Sequence, residues 1–209
     1  MKQLLLKSGK VKVHDVPAPS VSDNFVLVRV SKSCISVGTE ISGVKSSKEN
    51  LLLKAIRNPH HVRTVLSMIS ESGIKKVSET VRKKLDIGTP IGYSASGTVI
   101  DVGKNIRDVK IGDRVACAGS EYASHAEIIS VPRNLIAKIP NNVTDDVAST
   151  VTLGSIALQG LRRAELTYGE TVVVIGLGVI GQILLQLLSN SGVKVIGIDI
   201  DSSKLEIAK

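Results

Sequence analysis

A chain of 209 residues with 43% hydrophobic residues is long enough to bury the core of one large or two small domains. No stretch approaches the roughly 18 apolar residues of a membrane span, and the apolar run of residues 4–6 is too short for a signal peptide, so a soluble cytoplasmic protein with no membrane partner is expected. Two cysteines, Cys34 and Cys117, form neither a disulfide framework nor a metal knuckle, and 2% aromatic residues leave little base-stacking surface for nucleic acid despite a net charge of +8.

The first strands are read from alternation. Leu4 to Lys7, a Ser8-Gly9 turn and Val11 to Val16 predict a hairpin, and Val26, Val28 and Val30 share one face of a further strand. Across residues 44–88 the pattern changes to helical spacing, with Val62, Val65, Leu66 and Ile69 in one run and Ile74, Val77, Val81 and Leu85 in another. These amphipathic helices carry ten basic against four acidic side chains. Strands return over Gly97 to Val102, Asp113 to Ala116, His125 to Val131 and Ile136 to Ile139, separated by Gly, Asp, Asn and Pro. Pro140-Asn141-Asn142 breaks the pattern. Thr144-Asp145-Asp146 then opens a helix predicted to run to Arg162-Arg163, acids first and bases last as the helix dipole prefers.

The strongest motif follows. Val172 to Ile175 is an unbroken β-branched run of the kind a parallel strand buried on both faces needs. It leads into Gly176-Leu177-Gly178-Val179-Ile180-Gly181, in which Gly176 permits a tight turn, Gly178 lets the backbone approach a pyrophosphate, and Gly181 lets the next helix pack closely. That helix is predicted from Gln182 to about Asn190 with Gly192 as terminator, and its N-terminus offers N–H groups to phosphates. Asp199 stands eighteen residues beyond Gly181, at the end of a second strand, where a carboxylate can take the ribose hydroxyls and repel a 2′-phosphate. NAD (NADH) is therefore the expected cofactor. The chain stops soon after, in a helix predicted from Ser202 to Lys209, so a fragment lacking the later strands of a doubly wound domain is expected.

Val-Gly-Thr-Glu (37–40), Ile-Gly-Tyr-Ser-Ala-Ser-Gly-Thr-Val (91–99), Ile-Gly-Asp-Arg-Val (111–115), Ala-Glu-Ile-Ile-Ser-Val-Pro (126–132) and the glycine motif occur in an order that resembles the medium-chain dehydrogenase/reductase family of zinc-type alcohol dehydrogenase-like proteins. The resemblance implies an α/β chain with a β-rich N-terminal domain. A GroES-like β-barrel catalytic domain at 1–150 would be followed, at 151–209, by the first β-α-β unit of a Rossmann domain, with 44–88 as a basic helical insertion. The chain looks closest to a bacterial subgroup fused to a Gfo/Idh/MocA-like oxidoreductase domain. Partners outside the chain would then be the missing Rossmann portion and that fused domain, with a homo-oligomer left open.

Zinc members of the family take ligands at positions that correspond here to Val37, to Tyr93 and Ser94, and to Leu153, and Cys34 sits three residues too early. Metal ligands are therefore expected to be absent and zinc unlikely. His14, His60 and His61 read as solvated or packed side chains, and His125 as the one histidine with a claim to line the site. Without a metal, a tyrosine hydroxyl is a suitable donor to a developing oxyanion, which points to reduction of a carbonyl. Tyr93 occupies a family ligand position and Thr39 the family's proton-relay hydroxyl, with Glu40 to orient it. Lys204 matches a family position near the adenine ribose. The expected substrate is a small molecule, acidic or sugar-derived, and the charged faces of the insertion read as solvated, with a lid shaping specificity or a docking face for the missing domain as the functional alternatives. The alternative is a non-catalytic NAD-binding or scaffolding module.

Overall fold

The computed structural model describes residues 1–7, 9–36, 38, 40 and 88–209, and elements are numbered in chain order among these. The readings on Val37, Thr39 and the helices of 44–88 fall outside the described residues, apart from Gly88.

The hairpin expected at the N-terminus is β1 (Lys2–Lys7) and β2 (Lys10–Asp15), antiparallel with Leu4 opposite Val13. Together with β4 (Thr89–Pro90) they form a three-stranded sheet in the order β2-β1-β4. Alternation in β3 (Phe25–Ser33) turns Val26 and Val28 fully inward while Arg29 faces out. That strand lies between β5 (Ser94–Val102) and β7 (Ile128–Pro132), and β5 leads on to β6 (Arg114–Ala118) and β8 (Ile136–Lys138), giving a five-stranded order β7-β3-β5-β6-β8. One core gathers Val26, Val28, Val99, Val115, Ile129 and Val131 from four of these strands. Cys117 is in it, and burial pushes its thiol up to about 12, so it is an inert packing group; Cys34 is half-buried and free.

The single helix expected from Thr144 to Arg163 is instead two: α1 (Asp145–Ala148), capped by the Thr144 hydroxyl, and α2 (Val151–Arg163). Its break has a local cause. Ser149 and Thr150 turn their hydroxyls back onto the carbonyls of Asp146 and Val147, at 2.7 and 2.8 Å, and so compete with continued helix at that point. Ser149 offers its own carbonyl to Ser94 Oγ across the junction with β5, at 2.5 Å. Beside it, Ser96 Oγ donates to the Asp145 carbonyl at 2.7 Å, and the Arg114 guanidinium holds the Asp145 carboxylate and the Val143 carbonyl.

Arg114 holds the Asp145 carboxyl below the usual carboxylate range, with a smaller contribution from Ser31. A depressed folded value adds stability above the unfolded value near 3.9 and loses it as pH falls through the folded one. Asp145→Asn should therefore cost about 1 kcal/mol at pH 7, discounted for the partial exposure of Arg114, with the difference from wild type shrinking below about pH 4. Urea unfolding midpoints at the two pH values check it.

Beyond α2, β9 (Thr171–Ile175) and β10 (Lys194–Ile198) pair in parallel with Val172 opposite Val195, joined by α3 (Val179–Ser189), and α4 (Ser202–Ala208) follows. α3 starts earlier than expected, directly at Val179, with Gly178 as its N-cap residue and no side chain bonded to its terminus. Gly192 ends the excursion at φ 72°. Val174, Leu177 and Leu188 form the small core of this unit, and α2 packs on α3. Burial of the β9 run on both faces is met on one: Val174 is 6% exposed, whereas Val173 and Ile175 are 51% and 82% exposed, because no described element lies over their face. No helix among the described residues is long and apolar enough to cross a membrane.

Candidate functional site

The glycine turn behaves as its spacing predicts. Gly176 takes φ 92°, a conformation that side chains avoid, and reverses the chain out of β9. At Gly181 the backbone passes so near Gly176 that an added Cβ would lie 2.1 Å from the Gly176 carbonyl oxygen. Gly178 is the opposite case: it is the N-cap residue of α3 and has no side chain, and among the described residues an added Cβ would meet nothing within 4 Å. Open space in front of the uncapped helix terminus, with Val179 and Ile180 exposed at its first two positions, fits the approach of a pyrophosphate. Leu177 differs from its neighbours, since its side chain is buried and its N–H donates to Asp199 Oδ2 at 2.7 Å.

Asp199 sits at the end of β10, as expected. Its Oδ1 accepts the Asp201 N–H at 2.9 Å, and Lys204 Nζ lies 3.5 Å away. The backbone N–H groups of Asp201 and Leu177 hold the carboxyl below the usual range, with Lys204 adding to the effect. The structure thus brings Gly176 to Gly181, Asp199 and Lys204 to one place. It also recruits Gln182, which the motif reading passed over: its side-chain amide donates to the Leu177 and Lys204 carbonyls and ties α4 to the turn. A glutamine inside the first helical turn after a glycine motif was the available signal.

The second group of residues surrounds the start of β5. Tyr93 is half-buried, and its carbonyl accepts the Thr152 hydroxyl and the Gly119 N–H, which anchors this segment to α2. Ser94, its neighbour, is fully buried and committed to α2 and the α1–α2 junction, since its hydroxyl also accepts the Thr152 N–H at 3.3 Å. Glu40 closes a helical turn: its N–H donates to the Ser36 carbonyl, and its Oε1 accepts the Ser36 N–H at 3.0 Å. His125, which sequence left isolated, meets this turn. Its Nε2 lies 3.1 Å from Glu40 Oε1 and its Nδ1 2.9 Å from Ser33 Oγ. Cys34, next to Ser33, has its thiol raised by burial and then by the Glu40 charge.

Two of the positions at which the resemblance aligns zinc ligands hold side chains with other commitments. Leu153 is 2% exposed in the core and Ser94 is engaged with backbone, so neither is a ligand. Among the described residues no three His, Cys, Asp or Glu side chains come together as a metal-binding group.

Comparison with known proteins agrees with this architecture. Residues 60–141 match the family model of the alcohol dehydrogenase GroES-like domain. The chain is 33% identical over 120 residues to D-guloside 3-dehydrogenase of Escherichia coli strain K12, covering 57% of this chain and 34% of that one. It is 26% identical over 232 residues to a zinc-type alcohol dehydrogenase-like protein of Haemophilus influenzae, covering 98% of this chain and 58% of the relative. Among solved structures, a mycobacterial protein complexed with NADPH superposes with a TM-score of 0.72 at 22% identity, covering 100% of this chain and 56% of that one. The chain spans about half the length of the curated relatives it matches. The fold is a GroES-like β-barrel followed by the first β-α-β unit of a Rossmann domain, and sequence and structure agree on it.

Proposed function

We propose, on the premise that the GroES-like match and the dehydrogenase relatives support membership of the medium-chain dehydrogenase/reductase family, that this chain serves an NAD(H)-dependent oxidoreductase acting on an alcohol or its carbonyl without catalytic zinc. The observation that carries the reading is the glycine turn. Gly178 leaves space at an uncapped helix terminus, Gly181 closes on Gly176, and a carboxylate stands at the end of the neighbouring strand. A nicotinamide cofactor supplies the hydride when bound. The chain's part is to seat the pyrophosphate on the α3 N-terminus and to present Asp199 to the adenine ribose. Asp199, kept ionised by two backbone N–H groups, disfavours a 2′-phosphate at the same place, so NADH is preferred over NADPH.

Tyr93 is the proposed donor to the substrate oxygen, with Thr39 as a second hydroxyl and Glu40 orienting the turn that carries it. The D-guloside relative supports a sugar-derived substrate, in line with the acidic or sugar-derived class expected from sequence. We place the protein in the cytoplasm.

Fluorescence titration with NADH and NADPH tests the cofactor assignment. NADH should bind at least about tenfold more tightly, and Asp199→Asn should narrow that ratio by relieving the charge conflict. Equal affinities in the wild type would overturn the assignment. A carbonyl panel with NADH tests turnover, and metal analysis of the active protein tests zinc independence: stoichiometric zinc whose removal abolishes activity would sink that part of the reading.

A further inference from the structure

His125 joins more of this region than any residue singled out from sequence. Its backbone N–H donates to the Ile91 carbonyl at 2.8 Å and its carbonyl accepts the Leu4 N–H at 2.9 Å, so its position is set by β1 and by the segment between β4 and β5. Its ring is 4% exposed and lies against Gly92, whose φ of 96° brings the backbone so close that an added Cβ would be 2.9 Å from the His125 Cδ2. The ring then reaches the other way, to Glu40 with Nε2 and to Ser33 with Nδ1.

Hydrogen-bond chemistry fixes the orientation of this chain of groups. A carboxylate accepts, so the bond to Glu40 is made by the form of the ring that carries a hydrogen on Nε2. Ser33, whose hydroxyl both donates and accepts, adapts to either state of Nδ1. Glu40 Oε1 therefore receives two donors, the imidazole N–H and the Ser36 N–H, and is pinned inside a side chain that is 15% exposed. A bond to a charged acceptor in so dry a place is stronger than a neutral surface one.

We propose that His125 is a positioning residue: it holds the Glu40 carboxylate, and with it the Ser36–Glu40 turn, against the Ile91–Tyr93 segment. It spans the two segments from which Tyr93, Thr39 and Glu40 are drawn. Its place in a reaction rests on the oxidoreductase reading above; its hold on the turn does not.

Two substitutions separate this role from simple core filling, because the amide nitrogen of glutamine reaches about where Nε2 lies and that of asparagine about where Nδ1 lies. His125→Gln can keep the bond to Glu40 and gives up Ser33, whereas His125→Asn can keep Ser33 and gives up Glu40. In hydrogen exchange on the full chain, His125→Asn should speed exchange of the Ser36 and Glu40 amides on the order of tenfold or more, and His125→Gln by much less. In the wild type, nitrogen-15 histidine spectra should show an exchange-protected Nε2–H, lost in Glu40→Ala. If the protein reduces a carbonyl, kcat should fall about tenfold or more in His125→Asn and recover in His125→Gln, while the NADH dissociation constant stays unchanged. Equal exchange in the two variants, or an unprotected Nε2 in the wild type, overturns the proposal. A wild type that binds NADH and turns over no carbonyl overturns the oxidoreductase reading alone, since the exchange experiment still decides the role of His125.

Discussion

Gly181→Ala is expected to lower NADH affinity by at least about 100-fold and to destabilise the nucleotide-binding unit by about 2–3 kcal/mol. The new methyl group would lie 2.1 Å from the Gly176 carbonyl oxygen, a backbone atom that no rotamer change can move aside. Relief requires α3 to move away from β9, which opens the Val174, Leu177 and Leu188 core and displaces the helix terminus from the pyrophosphate position. Gly178→Ala supplies the contrast. Its methyl group meets none of the described residues beyond its chain neighbours within 4 Å, so thermal stability should hold while NADH affinity falls, because the methyl group occupies the space the pyrophosphate needs. Melting curves with fluorescence titrations of both variants separate a structural glycine from a ligand-facing one. Loss of stability in Gly178→Ala, or none in Gly181→Ala, would contradict the assigned roles.

Gly97→Ala is expected to destabilise the β-barrel by about 3–4 kcal/mol. Gly97 lies in β5, the central strand of the five-stranded sheet, opposite Val30 of β3 and Val115 of β6. A Cβ there would be 2.1 Å from the Arg29 carbonyl oxygen and 3.0 Å from Val28 Cγ1. The strands come this close where the β3–β5 register shifts between Val30 and Lys32, an irregularity that twists β3 across β5. Separating them would disturb Val26 and Val28, which anchor the main core. Denaturant unfolding measures the loss, and a change below about 1 kcal/mol would show that the sheet yields more easily than its packing implies.

Most of the β-barrel was legible in the sequence because its strands are half-buried, and a half-buried strand writes its inner face as alternation. Val26, Val28, Val99, Val115, Ile129 and Val131 were all on expected strands. The glycine turn was legible for a different reason: Gly176 and Gly181 answer backbone requirements that a side chain would violate, a positive φ and a close approach, so spacing alone implied geometry. The break between α1 and α2 was not legible, because Thr144 and the acidic pair signal where a helix starts, while its interruption depends on hydroxyls at Ser149 and Thr150 choosing nearby carbonyls. Nor was the uncovered face of β9. A β-branched run signals burial on two faces, and what covers each face is a matter of other elements.

By itself, then, the sequence determined the strand faces of the β-barrel, the turn out of β9 and the carboxylate at the end of β10, since each depends on residues within one element or one β-α-β unit. Only the tertiary structure decided the fate of the isolated polar side chains. Ser94 is drawn into the junction with α1 and α2, Gln182 onto α4, and His125 between Ser33 and Glu40, which stand 92 and 85 residues away in the chain. No periodicity links residues so far apart. Their hydrogen bonds form because sheet register buries them together, where each polar group must find a partner or lose the hydration it gave up.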